Sequence, residues 1–125
     1  MAKNIFMTEA EEKLANIVWR EGPLMSPDLA VIAEREFGWK KSTTYTILKR
    51  LCDKDVLKNE HAKVSAMLTR EEQTTRQSHR YIEDAFGGSL PRFLASFIRG
   101  GNLSSEEVSE LRRLIDAYDE GGGND

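Results

Sequence analysis

The sequence predicts an α+β chain in which helices dominate and one short hairpin interrupts them. Three observations lead there. Apolar residues recur at helical spacing through six stretches. Strand-like alternation occurs in only one place, between Val56 and Leu68. The helix-start signal of Ser or Thr with Glu three residues on occurs three times, at Thr8–Glu11, Thr69–Glu72 and Ser104–Glu107.

The first helix starts at Thr8, runs Ala10, Leu14, Ile17 and Val18 along one face, and ends at Gly22-Pro23. Ser26-Pro27 opens the second, with serine as cap and proline at the first helical position. Its buried stripe is Leu29, Ile32, Ala33 and Phe37, and Gly38 stops it. The third covers Trp39 to Leu51, with Thr44, Ile47 or Leu48, and Leu51 inward. Two strands follow, turning around Glu60–Ala62, with Val64, Ala66 and Leu68 alternating in the second. Three helices and then a hairpin is the order of a winged helix-turn-helix, here expected over residues 1–70. Residues 71–125 read as an all-α segment. Its first helix ends near Phe86 before Gly87-Gly88, a short apolar helix RFLASFIR stops at Gly100-Gly101, and a last helix begins at Ser104. GGGND reads as a frayed tail.

Composition narrows the class. Hydrophobic residues at 39% and charged residues at 31% describe a folded water-exposed chain rather than a disordered one. The start, MAKNIFMTEAEEKL, does not resemble a signal peptide, and no apolar run approaches membrane-spanning length. A cytoplasmic location is expected. One cysteine, Cys52, excludes an internal disulfide framework and a multi-thiolate metal site. His61, at the expected hairpin tip, and His79 have no second ligand at metal spacing, so no metal or cofactor is expected. No glycine-rich phosphate loop, nucleophile elbow or paired-acid constellation is present, so catalysis is not expected.

The net charge of −3 hides an asymmetry. From Lys40 to Lys63 seven cations face three anions, whereas from Gly101 to Asp125 seven anions face two cations. The third helix lies in the basic part, and its composition, WKKSTTYTILKRL, is poor for a purely structural helix. Hydroxyls near its start (Ser42, Thr43, Tyr45, Thr46) suit base edges and phosphates in a DNA major groove. Lys40, Lys41, Lys49 and Arg50 suit phosphates, with Lys58 and Lys63 adding to them from the hairpin. The competing reading is an ordinary solvated face, and the rival function is a winged-helix protein–protein interaction module that never touches DNA. Trp19 and Trp39 fit as seals of a small core better than as stacking platforms.

After residue 70 the apolar residues cluster where little chain exists to cover them. Phe86, Leu90, Phe93, Leu94, Phe97 and Ile98 lie close in sequence, and Val108, Leu111, Ile115 and Tyr118 stripe the last helix. A second copy of the chain is the economical cover, which predicts a homodimer.

TTYTILKRL followed by a charged turn and a hairpin, with FGGSLPRFLASFI and NLSSEEVSELRRLID in the tail, resembles the penicillinase-repressor (BlaI/MecI/CopY) family from about Thr8 to Tyr118. The resemblance implies a cytoplasmic dimeric repressor whose two winged helices each read half of a palindromic operator. It also implies inactivation by proteolysis near Ser96–Phe97, linked to a membrane-bound sensor metalloprotease. At Asp55 the family commonly has glycine, which implies a left-handed turn that aspartate tolerates better than most residues.

Overall fold

The structure, a computed structural model, describes residues 3–121. Its elements run α1 (Glu9–Glu21), β1 (Leu24–Met25), α2 (Ser26–Phe37), α3 (Lys41–Asp53), β2 (Leu57–Glu60), β3 (Lys63–Ala66), α4 (Arg70–Phe86), α5 (Leu90–Arg99) and α6 (Ser105–Glu120). The three strands form one antiparallel sheet in the order β1-β3-β2. This is an α+β chain with a winged helix first and helices after it. The expected tail beyond Gly121 lies outside the described residues.

The chain divides into two compact units, Met1–Tyr81 and Ile82–Asp125, so the division falls inside α4. In the first unit, Leu14, Ile17 and Val18 of α1, Leu29 and Ala33 of α2, and Ile47, Leu48 and Leu51 of α3 share one core with Val56, Leu57 and Val64. Trp19 and Trp39 close its edges: the Trp19 indole N–H donates to the Leu68 carbonyl at 2.9 Å, and Trp39 packs on Phe37 at 4.9 Å between ring centroids.

Three local expectations are corrected. The sheet has a third strand, β1, which the sequence could not announce because two residues carry no periodicity. Pairing of β1 with β3 moves the α2 cap from Ser26 to Met25, which makes no side-chain cap bond. Ser26 is instead buried, and its N–H donates to the Ala62 carbonyl at 2.7 Å. The expected alternation in the second strand fails after Val64, since Ala66 is exposed and Leu68 lies beyond the strand.

All three predicted capping boxes form, with the hydroxyls of Thr8, Thr69 and Ser104 accepting from Glu11, Glu72 and Glu107 backbone N–H groups. Glu11 does more. Its carboxylate is fully buried, accepts the Thr8 N–H at 3.0 Å, and also receives the Lys54 ammonium at 2.6 Å. Lys54 caps α3 and donates as well to the Phe6 carbonyl at 2.7 Å. Around this pair, α4 binds the N-terminal segment. Gln73 donates to Ile5 O at 2.9 Å, Gln77 accepts from Met7 N–H at 3.1 Å, and Arg80 donates to Lys3 O at 2.7 Å. Arg76 donates to the Lys54 carbonyl at 2.7 Å, fixing the C-terminal end of α3 as well.

The second unit is different in kind. Neither α5 nor α6 has a buried residue, although α5 is mostly apolar. Phe93 touches Phe86 and Phe97, at 5.5 and 6.0 Å between centroids, while Leu90, Phe97, Ile98, Leu114, Ile115 and Tyr118 stay exposed.

The buried pair sets the first prediction. Lys54→Ala leaves the Glu11 carboxylate buried with only the Thr8 N–H, and removing one partner of such a pair costs about 3–5 kcal/mol. Urea unfolding of Lys54→Ala is expected to show a loss of that size. A loss no larger than that of an exposed lysine such as Lys13 would show that the pair carries no such weight.

Candidate nucleic-acid interface

Helix α3 is built to show one face and bury the other. Thr44, Ile47, Leu48 and Leu51 are buried, at the i, i+3, i+4, i+7 spacing of one helical stripe. Both Ile47 and Leu48 therefore face inward. Lys40, Lys41, Ser42, Thr43, Tyr45, Thr46, Lys49 and Arg50 are exposed. Tyr45 shows 39% of its surface.

The start of α3 carries no acidic residue in its first turn, and Lys40 makes no side-chain cap bond. Its first-turn N–H groups and the positive end of its dipole are therefore open to an anion, with Lys40 and Lys41 alongside. The far end is fixed, by Lys54 and Arg76. Asp55 then takes a left-handed conformation at φ 62°, and the adjacent Lys3 ammonium, at 2.6 Å, holds its carboxyl below the usual carboxylate range.

The cations of the basic stretch separate into three roles. Lys54 belongs to the core. Lys49 lies 3.5 Å from Asp53 and Lys58 3.6 Å from Glu60, pairs in solvent that contribute little and exchange readily. Lys40, Lys41, Arg50 and Lys63 form no ion pair among the described residues. The arrangement offers cations, hydroxyls and helix-end N–H groups to a polyanion.

A cleft of about 400 Å³ lies between α3 and β2, lined by Tyr45, Lys49, Cys52, Lys58 and Met67. Burial pushes the half-buried Cys52 thiol up, with Asp53 adding to the effect, so the thiolate is disfavoured. Among the described residues no group of His, Cys, Asp and Glu could hold a metal ion. No helix among them is long and apolar enough to cross a membrane.

In the second unit, Phe93, Leu94, Phe97 and Leu111 line a mostly apolar cleft of about 390 Å³. Two residues absent from the sequence-based set belong with them: Leu103 in the cleft, and Leu114, 53% exposed beside Ile115. Leu111, Leu114, Ile115 and Tyr118 fall at i, i+3, i+4, i+7, a fuller stripe than the heptad reading found. Phe86, Phe93, Leu94, Val108 and Leu111 are half-buried. Ser96 is half-buried and Phe97 exposed, both inside α5.

The model of the penicillinase repressor family matches residues 7–117. The chain belongs to that family. It is 20% identical over 117 residues to the penicillinase repressor of Bacillus licheniformis, covering 90% of this chain and 91% of that protein. It is likewise 20% identical over 117 residues to the methicillin resistance regulatory protein MecI of Staphylococcus aureus strain N315, covering 90% and 95%. An uncharacterized 16.5 kDa protein of Latilactobacillus sakei is 27% identical over 115 residues, covering 89% and 79%. The named relatives are a repressor and a regulatory protein, not enzymes. At the level of the family, the role is transcriptional repression.

The inward face of α3 contains one flaw. Thr44 is buried, and its hydroxyl has no hydrogen-bond partner among the described residues. An unsatisfied buried hydroxyl costs about 1–3 kcal/mol, and valine keeps the shape without it. Thr44→Val is expected to raise the thermal midpoint, and a lowered midpoint would mean that the hydroxyl finds a partner in solution.

Proposed function

We propose that the chain is a dimeric transcriptional repressor that binds a palindromic operator, each winged helix reading one half-site through Ser42, Thr43, Tyr45 and Thr46. Lys40, Lys41, Lys49, Arg50, Lys58 and Lys63 hold the phosphates. The observation that carries the reading is α3 itself: its hydroxyls and cations lie together on the exposed face, while Lys54 alone of the local cations is withdrawn into the core. Half-sites then lie about one helical turn, or a multiple of it, apart.

Dimerisation falls to the second unit, through Phe86, Leu90, Phe93, Leu94, Phe97, Ile98, Val108, Leu111, Ile115 and Tyr118. Supporting it is an apolar α5 with no buried residue, an arrangement that a monomer in water does not favour. Covering the exposed parts of six large side chains in each copy contributes on the order of 10 kcal/mol, against an association cost of about 4–15 kcal/mol. The surplus is narrow. A repressor whose dimer has little to spare is one that a single lesion in α5 releases from DNA.

Proteolysis at Ser96–Phe97 is the regulatory half of the proposal, with a membrane-bound sensor metalloprotease as its source and the cytoplasm as its setting. The bond lies inside α5, so cleavage needs that helix to unwind. At 10 residues between glycine pairs, α5 is shorter than the roughly 12–15 residues below which isolated helices are marginal in water, which favours its local opening.

Fluorescence anisotropy on DNA upstream of the chain's own gene, with light scattering on the same sample, tests binding. A dimer that prefers this DNA to a scrambled duplex, and weakens steeply with salt, is expected. Lys49→Ala or Arg50→Ala should each lower the salt slope by about one per half-site while leaving the dimer intact. Equal binding to the scrambled duplex, or variants without effect, would favour the interaction-module reading. Cleavage is tested separately by co-expressing the chain with the cognate sensor and stimulating it. An intact α5 under those conditions would end the proteolytic half alone.

A further inference from the structure

The residue that α4 buries is polar. Gln73 is 1% exposed, at a position where an apolar side chain of similar size would fill the space without the cost of burying an amide. That cost is offset because every capacity of the amide is used. Its Nε2 donates to the Ile5 carbonyl at 2.9 Å and to Gln77 Oε1 at 3.0 Å. Its Oε1 accepts from Arg76 twice, from Nε at 3.1 Å and from Nη2 at 2.8 Å. A side-chain amide offers two donors and two acceptor sites, so none is left over. A buried polar network satisfied in this way contributes direction, because it locks its partners in one geometry where apolar contact would let them slide.

The partner that matters is Arg76. Held as a flat fork by Gln73, it donates through Nη2 to the Lys54 carbonyl at 2.7 Å. The neighbouring Asp53 carbonyl accepts the Lys3 ammonium at 2.9 Å. The last carbonyls of a helix have no partner within it. Here cations from two other parts of the chain close them, and cations suit the negative end of the helix dipole. Lys54 is thereby held twice, its ammonium by Glu11 at 2.6 Å and its carbonyl by Arg76. One anchor leaves a helix free to roll about that point, and a second anchor in another element removes the freedom. Roll is the motion that base reading tolerates least. Side-chain tips stand about 5–6 Å from a helix axis, so a roll of about 10° moves them by about 1 Å. Hydrogen bonds to base edges do not survive that shift, since their donor–acceptor distances span only about 0.5 Å. Lysines meeting phosphates act through charge and tolerate it.

Resting on the repressor reading above, we propose that Gln73 and Arg76 are positioning residues for base recognition. They fix the roll of α3, so that Ser42, Thr43, Tyr45 and Thr46 meet base edges in register, and they touch no DNA themselves. Sequence selectivity is therefore set partly from α4, by two side chains that lie outside the exposed face of α3.

Arg76→Met keeps most of the stem and removes the fork. The probe is a duplex recovered by the wild-type chain from a randomised pool, compared with its scrambled sequence by fluorescence anisotropy below the melting range of every variant. Arg76→Met is expected to lose about tenfold on the recovered duplex, the size of one good base contact. It should bind the scrambled duplex as before, with an unchanged salt slope. Gln73→Leu should shift the same preference, and the double variant should lose no more than Arg76→Met alone, because the two side chains act as one unit. Losses that multiply would show independent contacts and overturn the shared role. Arg70→Ala is the control, since it frees α4 from Asn16 of α1 and breaks no bond to α3. It should melt lower with its preference intact, and an equal loss of preference there would assign the effect to stability and overturn the proposal. An Arg76→Met chain that keeps its preference would do the same. So would equal loss on both duplexes with a salt slope lowered by about one per half-site, which would make Arg76 a phosphate contact. A wild-type chain that recovers no duplex at all would instead overturn the repressor reading, and this proposal with it.

Discussion

One buried carboxylate sets the pose of α3. Glu11 closes the start of α1 through Thr8 and takes the Lys54 ammonium from the end of α3, while Lys54 also holds the Phe6 carbonyl. Two chain segments, 43 positions apart at the pair, therefore meet at one ion pair. Apolar packing between α1, α2 and α3 is non-directional and fixes how close the helices lie. The ion pair has directed bonds, so it fixes where the end of α3 stands relative to α1. Such pairs contribute little net stability over an apolar substitute, and registry is their best-attested use. Arg76 and Gln73 extend the same logic to α4, whose residues up to Tyr81 belong to the same compact unit as the winged helix despite their polar sequence.

This arrangement explains what the sequence could and could not disclose. The two faces of α3 were readable because a 3.6-residue period separates Thr44, Ile47, Leu48 and Leu51 from their polar neighbours. Capping boxes were readable because their bonds are local. Glu11 could be read as half of a capping box, but its bond to Lys54 spans 43 positions and leaves no local trace. Lys54 therefore counted as one more surface cation. β1 was hidden for a related reason, since two residues become a strand only through pairing with β3, and the displaced role of Ser26 follows from that pairing. In the tail, Leu114 escaped because a heptad frame through Val108, Leu111, Ile115 and Tyr118 passes beside it.

The two units solve the burial problem in opposite ways. The winged helix closes a core of its own from three helices and a sheet, with polar clamps at its edges. The tail closes only part of a core. Its helices are begun by strong local signals, at Ser89 and Ser104, but Phe93, Leu94 and Leu111 are no more than half-buried and Leu90, Phe97, Ile98, Leu114, Ile115 and Tyr118 stay in water. Local propensity makes the helices, and under the proposed dimer a second copy covers their apolar faces, which would tie the tail's stability to chain concentration in a way the winged helix's is not.

That contrast bears on how a repressor of this design responds to a signal. An affinity divided between two half-sites depends on linkage, because the second contact forms at the high effective concentration that the first one creates. Under the proposed reading, loss of the dimer would lower operator occupancy steeply without altering any residue proposed to touch DNA. The signal need not reach the winged helix, whose core and ion pair make it costly to deform. In that proposal it needs only to act on α5, the shortest helix among the described residues, which like α6 has apolar surface exposed. Stability and regulation would then fall to different segments, and the rigidity that holds α3 in register could be retained when the proposed dimer is lost.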